Sequence, residues 1–435
     1  MRTMRRLLLA AAGSLLCAYS PALLAQSVCY QQISPTLYDN PNSLAGESEV
    51  LTQTGGVYAV SSAAADGAGN SIADILKLKA DGKPDPAFGG VGSVVPASPA
   101  AGTMDAALTR DSSGNLVIAI ITADGANLVL QRFSATGKLD TTYGVSGTVT
   151  IPFTQITGPW AIEAAPDGSV LIAAGAFPDA SATGWEPVVL KVTPTGTLDT
   201  SFGIGGFSYF NTGAFGPAGK ATDLSIRPDG TILVGGRIGD NHTYDYFFVA
   251  RLLADGALDT SFGPSGGMTT VSFGNTVADG RKMAVEQDGK AVLVGGVGPL
   301  GAPDTGVIRL TANGFPDPSF NGTGSLFLSG VHGYQVALQG DDKILIAAGN
   351  TATPQSTSSV VVRLTQSGKL DTTFGDQHNG MVPLQVPGAA STGTSQIAYS
   401  PESGIHVLVF GQDTTGTVYT DYLARLGIAE GAGCR

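Results

Sequence analysis

Histidine, cysteine and charge are all scarce in this chain of 435 residues. The four histidines, His242, His332, His378 and His406, are scattered, and none stands at a metal-ligand spacing from another. No Gly-x-Ser-x-Gly elbow presents a serine nucleophile. The Asp-Gly pairs lack the alternating acidic ligands of a calcium loop. Glycine runs such as "GGVG" precede no helix and so form no phosphate cradle. No cofactor and no metal are expected. Charged residues are 13% of the chain, about half of average usage. Acidic residues outnumber basic ones, 35 to 23, which excludes the basic face that nucleic acid requires. No apolar stretch reaches the roughly 18 residues of a membrane helix, so no membrane span is expected.

The first residues read as a leader. Arg2, Arg5 and Arg6 precede a largely apolar run from Leu7 to Leu16 and a small-residue exit ending at Ala25. That order is a secretory signal peptide over 1–25. The mature chain, 26–435, is expected to be exported to the periplasm or the medium of a Gram-negative-type bacterium.

Glycine, in contrast, is plentiful. Its 61 residues are about twice average usage. Helices tolerate glycine poorly, whereas short strands joined by tight turns use it well. One motif recurs: "GKLDTTYG" at Gly137, "GTLDTSFG" at Gly196, "GALDTSFG" at Gly256 and "GKLDTTFG" at Gly368. Looser copies begin at Gly82 and Gly314. The turn aspartates are Asp85, Asp140, Asp199, Asp259, Asp317 and Asp371. Eight residues before each lies Lys77, Arg132, Lys191, Arg251, Arg309 or Arg363, set in an apolar run such as "FFVARL". A seventh run, "DYLARL", carries Arg425 but lacks the turn. Ahead of these runs stand "PDGSVLIAAG", "PDGTILVGG" and "QDGKAVLVGG". Asp-Gly before such a run signals a hairpin, and continuous apolar residues suit a strand covered on both faces.

Each unit therefore supplies four short strands. They are labelled A to D, with A following the "FG" turn and D carrying the basic residue. Such units cannot bury both faces alone, but seven arranged radially can. The expected fold is all-β: a seven-bladed β-propeller of four-stranded antiparallel blades. The repeated turn is expected to link outer strand D of one blade to inner strand A of the next. Its aspartate caps the turn, its aromatic residue fills the wedge between blades, and its partner is the basic residue of strand D.

"GKLDTTFG" after "DKILIAAG…VVVRL" resembles the bacterial delta-60 repeat family, from roughly Glu47 to the C-terminus. The resemblance implies an exported repeat propeller with a binding role, and no catalytic residues. The proline-flanked turns at Asp85 and Asp317, and Asn321 in place of glycine, depart from the pattern and predict altered turns in two units.

Antiparallel order puts the near-identical B–C and D–A turns on one face and the variable A–B and C–D loops on the other. Variable loops are the better place for a specific site. They hold Trp160, Trp185, His242, Tyr244, Tyr246, His332 and Tyr334, candidates for contact with a protein or glycan ligand. Packing of these rings against the rim is the alternative reading. The A strands "GTVTIPF", "GFSYF" and "GSLFL" contain no carboxylate. This favours a non-enzymatic, monomeric binding scaffold over an axial hydrolase or lyase, with a structural ring of a surface assembly as the third reading.

The mature chain keeps two cysteines, Cys29 and Cys434, at the two ends where the seventh turn is missing. An exported protein permits a disulfide there. On the chain-entropy estimate, closing so long a loop stabilises by about 5 kcal/mol. The intact, unreduced protein is expected to weigh two hydrogens less than its reduced form by mass spectrometry. Equal masses would exclude the bond.

Overall fold

The computed structural model describes residues 28–32, 50–53, 56–65, 71–79, 83–97, 102–179, 182, 184–210, 218–239, 245–274, 277–298, 304–351, 358–375, 377–384, 386, 389–401, 404–412 and 419–428. Among them lie seven four-stranded antiparallel sheets and no helix long and apolar enough to cross a membrane. The leader, His242, Tyr244 and Cys434 fall outside the described residues.

The innermost strands of the seven blades, in chain order, are Val50–Gln53, Thr103–Arg110, Ile156–Ala164, Lys220–Ile226, Val277–Val285, Val331–Leu338 and Ser391–Ser400. Each touches the innermost strand of the next blade, and the last touches the first, so the ring closes. Blade 3 shows the plan. Ile156–Ala164 pairs with Val170–Ala176, which pairs with Glu186–Val192, which pairs with Phe207–Tyr209.

This order corrects the expected strand assignment by one place. The strand after the "FG" turn is the outermost strand of the same blade, not the innermost strand of the next. The turn is an intrablade connection, and the variable loop that follows carries the chain to the next blade. The strand preceding the Asp-Gly turn is the one beside the axis. The two faces are unaffected, because first-to-second and third-to-fourth turns still share one end of the blade.

The second strands are wholly buried, as in Leu116–Thr122, Val170–Ala176 and Ala291–Gly298. Each hydrophobic cluster straddles two neighbouring blades rather than lying within one. The aromatic residue of each turn, Phe88, Tyr143, Phe202, Phe262, Phe320 and Phe374, is at most 1% exposed at these junctions. Gly256 lies so close to Phe202 that a Cβ would come within 3.0 Å of its ring. The backbone reinforces the contact: Gly144 N–H donates to Thr195 O at 2.9 Å, and Gly203 N–H to Asp255 O at 2.7 Å.

The basic residue clasps three parts at once. Arg132 Nε donates to Asp140 at 2.9 Å, and its Nη1 donates to Pro194 O of the next blade at 2.7 Å. Its guanidinium sits 4.5 Å from the Tyr143 ring centroid. Arg251 and Arg309 repeat all three contacts. Arg363 pairs with Asp371 over Phe374, and Lys77 and Lys191 pair with Asp85 and Asp199. Each aspartate also caps its turn: Asp199 Oδ1 accepts from Ser201 N and Oγ. Arg425 lies in a third strand, Tyr419–Ile428.

The two divergent units keep the common turn. Asn321 adopts φ +51°, the left-handed conformation that glycine takes elsewhere and asparagine tolerates. Its N–H still donates to Ser367 O of the next blade, at 3.0 Å. Phe88 N–H donates to Asp85 O as Phe202 N–H does to Asp199 O.

Blade 7 takes its outermost strand from the N-terminus. Val28–Gln32 pairs antiparallel with Tyr419–Ile428, placing Cys29 opposite Gly427. Truncating a buried turn ring leaves a cavity between two blades, so Phe202→Ala is expected to destabilise by about 3–5 kcal/mol. Arg309 and Asp317 are each buried, and Arg309→Met strands the carboxylate at a cost of about 3–5 kcal/mol. Urea unfolding followed by intrinsic fluorescence measures both. A change below about 1 kcal/mol in either would refute the clasp.

Candidate functional site at the axial mouth

The site follows from an irregularity repeated in the innermost strands. Pairing with the second strand skips residue 104 in blade 2, 158–160 in blade 3, 222 in blade 4, 281 in blade 5, 334 in blade 6 and 395 in blade 7. A β-bulge leaves its extra residue unpaired and re-aims the side chain. In blades 4 and 5 the bulge brings the backbone close to glycines of the second strand. A Cβ on Gly236 would meet Lys220 O at 2.1 Å, and one on Gly295 would meet Asp279 O at 2.0 Å. This accounts for the "GG" in the second strands of blades 4 and 5. One level of the ring thus carries Trp160, Thr222, Arg281 and Tyr334, different in each of blades 3 to 6.

Trp160 is half-buried, with Lys220 Nζ 5.1 Å from its ring centroid. Its carbonyl accepts from Lys282 Nζ at 2.6 Å, which spans from blade 5 past blade 4. Its buried Nε1 has no hydrogen-bond partner. Tyr334 packs on His332 with centroids 4.4 Å apart, and the Arg281 guanidinium stands 5.2 Å from the Tyr334 ring. Arg281 pairs with Asp279 at 3.0 Å, and Arg237 of blade 4 approaches the same carboxylate at 3.6 Å. Burial, aided by the Arg281 charge, pushes His332 down to about 4, so it is neutral at pH 7. Burial raises Tyr334 above its ordinary value.

One step further along the strands, away from the variable loops, comes a polar layer. The residues that resume pairing after the bulge are Asp105, Ala161, Asp223, Lys282, Gln335 and Gln396. Asp223 accepts from Leu224 N at 3.1 Å and from Met283 N of the next blade at 2.6 Å. Burial raises its pKa, while the Lys282 charge opposes the shift. Glu163 accepts from Ile226 N of the next blade at 3.0 Å, and burial pushes it up to about 7. No cluster of three or more His, Cys, Asp or Glu able to hold a metal lies among the described residues.

The reassigned strands overturn the expectation that the axis is free of carboxylates. Asp105, Glu163 and Asp223 all lie on innermost strands. Of the candidate rings, Trp160, His332 and Tyr334 stand in the axial group. Trp185 does not join them: it packs edge-on against Phe177 at 4.7 Å, and its carbonyl accepts from Gly219 N. Tyr246 is half-buried against the core between blades 3 and 4. His406 is a buried residue of a second strand, and His378 is exposed on the last turn. Lys220, Arg281, Lys282, Asp223 and Glu163 lie in this candidate site and were missed by the loop-based reading. The signal was a polar residue just before the apolar end of each strand preceding the Asp-Gly turn, as in "ATDLSI" and "RKMAVE".

Separately, a groove of about 530 Å³ lies at the outer rim between blades 3 and 4, lined by Ile204, Phe207, Tyr209, Leu258 and Met268 among others.

Residues 165–202, 227–262, 286–320 and 339–374 match a family model described as "Domain of unknown function (DUF5122) beta-propeller". The matched stretches are consistent with a β-propeller family. No curated protein matches the sequence. Among solved structures, the polysaccharide lyase Uly1 is similar at 12% identity and TM-score 0.50, over 95% of this chain and 94% of that one. A protein of unknown function from Dyadobacter fermentans is similar at 11% identity and TM-score 0.48, over 92% of this chain and 99% of that one. The likeness to Uly1, at this identity, speaks to the fold alone.

Glu163 holds its proton more tightly in the folded than in the unfolded chain. Its favourable contribution is complete below about pH 4 and is lost as pH rises through about 7. Glu163→Gln is therefore expected to match the parent protein at pH 4.5 and to exceed its stability at pH 8.5, by up to about 3 kcal/mol. Denaturation across this range checks it. Parallel curves would place the carboxylate in open solvent.

Proposed function

We propose that this is an exported propeller of the delta-60 repeat type that binds a protein or glycan ligand through the axial mouth on its variable-loop face. The repeat motif supports the family, and the basic and apolar start of the chain supports export. The observation that carries the binding reading is the gathering of Trp160, Lys220, Arg281, His332 and Tyr334 from four blades around one end of the axis. In blade 4 the same bulge position is taken by the small Thr222.

A second reading, an axial hydrolase or lyase, is favoured by one observation. Asp223 and Glu163 are recessed carboxylates on adjacent innermost strands, with Lys282 held near Asp223. Groups of perturbed acidity beside an axis are a reasonable place for acid–base chemistry.

Glycan and protein arrays probed with the mature protein, then with Trp160→Ala and Tyr334→Ala, separate these possibilities. Binding weakened about tenfold or more by either change supports the mouth as the contact. Ligands held equally by both variants would show that the contact lies elsewhere. Turnover of a bound glycan that stops in Asp223→Asn would establish the second reading.

A further inference from the structure

We propose that the rim groove between blades 3 and 4 is a second binding site, separate from the axial mouth, for a small cationic amphiphile: an amine carried on an aromatic or alkyl body. The groove, of about 530 Å³, falls in the size range of small-molecule sites. The other blades show why it is open. In each blade that carries the "FG" turn, one residue of the outermost strand lies opposite the residue two places before the basic one. These pairs are Val94 with Ile75, Val149 with Leu130, Ser208 with Val189, Thr269 with Val249, Leu326 with Val307 and Val382 with Val361. In blades 1 and 2 the valine plugs the junction with a γ-methyl. A Cβ on Gly137 of the next turn would come 2.6 Å from that of Val94, and one on Gly196 would come 3.0 Å from that of Val149. Thr269 closes its junction by donating its hydroxyl to Gly314 O of blade 5. Ser208 is the smallest of the six and has no methyl to place there, so the wedge it lines stays open.

The lining sets the chemistry of the occupant. Phe207, Tyr209 and Phe210 of blade 3 and Leu258 and Met268 of blade 4 supply apolar walls, against which an apolar body gains by leaving water. Among the described lining residues Asp255 is the one charged group, and no lysine or arginine is present. Asp255 is exposed, and its Oδ1 accepts from Ala257 N at 2.9 Å. Its other carboxylate oxygen can accept from a ligand. Negative charge is felt on the blade 3 wall too: burial, and then the Glu186 charge, raises Tyr209 above its ordinary value. An ammonium is therefore drawn to Asp255 and to the aromatic faces. A carboxylate of the same shape meets like charge and no cation.

Calorimetry with the full mature protein at neutral pH and low salt tests the assignment. The probes are phenylbutylamine, phenylbutanol and phenylbutyrate, which share one body and differ in the head. The amine is expected to bind about tenfold or more tightly than the carboxylate, with the alcohol between them, and salt should narrow the gap. Ser208→Val installs the residue that blades 1, 2 and 6 carry at this place. It should weaken the amine and the alcohol about tenfold or more without lowering the urea midpoint. Ser208→Thr, the residue of blade 4, provides a second filling should the valine variant not fold. Asp255→Asn keeps an acceptor for Ala257 N; it should weaken the amine about fivefold and leave the alcohol unchanged. Trp160→Ala should alter none of the three, since the axial mouth lies elsewhere. No binding of the amine, a carboxylate held as tightly as the amine, or an amine indifferent to the filling of position 208 or to Asp255→Asn would overturn the proposal. Amine binding lost in Trp160→Ala would overturn it as well, by moving the contact to the mouth.

Discussion

The junction between blades is the constraint on which the rest of the structure depends. A four-stranded blade has two apolar faces and no interior, so its stability is made at its boundaries. Between consecutive blades from 1 to 7 a buried ring fills the wedge, between those from 1 to 6 an amide crosses to a carbonyl of the next blade, and a basic side chain ties the ring, its own turn and, in three blades, the neighbour together. The ion pair within the clasp sits among partly or fully desolvated groups, where pairing defines geometry more than it adds stability. The apolar wedge supplies the stability, and the arginine and aspartate set the angle at which successive blades meet.

With the angle set, the innermost strands are free of that duty. They are bulged, and in blades 4 and 5 the backbone of the bulge crowds glycines of the second strand. The bulge appears in each of blades 3 to 6 with a different side chain. Repetition supplies equivalent positions around an axis, and the variety at those positions supplies chemistry. Trp160 with Lys220, and Tyr334 with Arg281, are neighbours for this reason, although they are far apart in sequence.

Much of the architecture was legible from residues alone. The spacing of Asp85, Asp140, Asp199, Asp259, Asp317 and Asp371 counts blades, and the basic residue eight positions earlier marks the third strand. What could not be read was which strand lies beside the axis. The "FG" turn joins two strands in either arrangement, and the choice is made by whether the short strand after it pairs backward or forward. Phe207–Tyr209 pairs backward, with Val188–Leu190. The one-place shift also moved the site. Carboxylates searched for in "GFSYF" were instead in "KATDLSI" and "ITGPWAIEA". Trp185 looked like a contact residue because it is aromatic and near a loop. Its packing on Phe177 follows from the hairpin register, which sets Ala176 opposite Glu186 and so brings the next pair outward together.

The strand that completes blade 7 has a consequence for how the molecule is made. Val28–Gln32 and its partner Tyr419–Ile428 lie far apart in sequence, so the one waits for the other. Six blades can assemble from local hairpins as they emerge, while the seventh is a rendezvous across almost the whole molecule. Contacts of such long sequence separation form late and slow the final step. Until that meeting, an unpaired strand edge stays open, and this brief interval is when the nascent protein is most vulnerable to mispairing with another copy of itself.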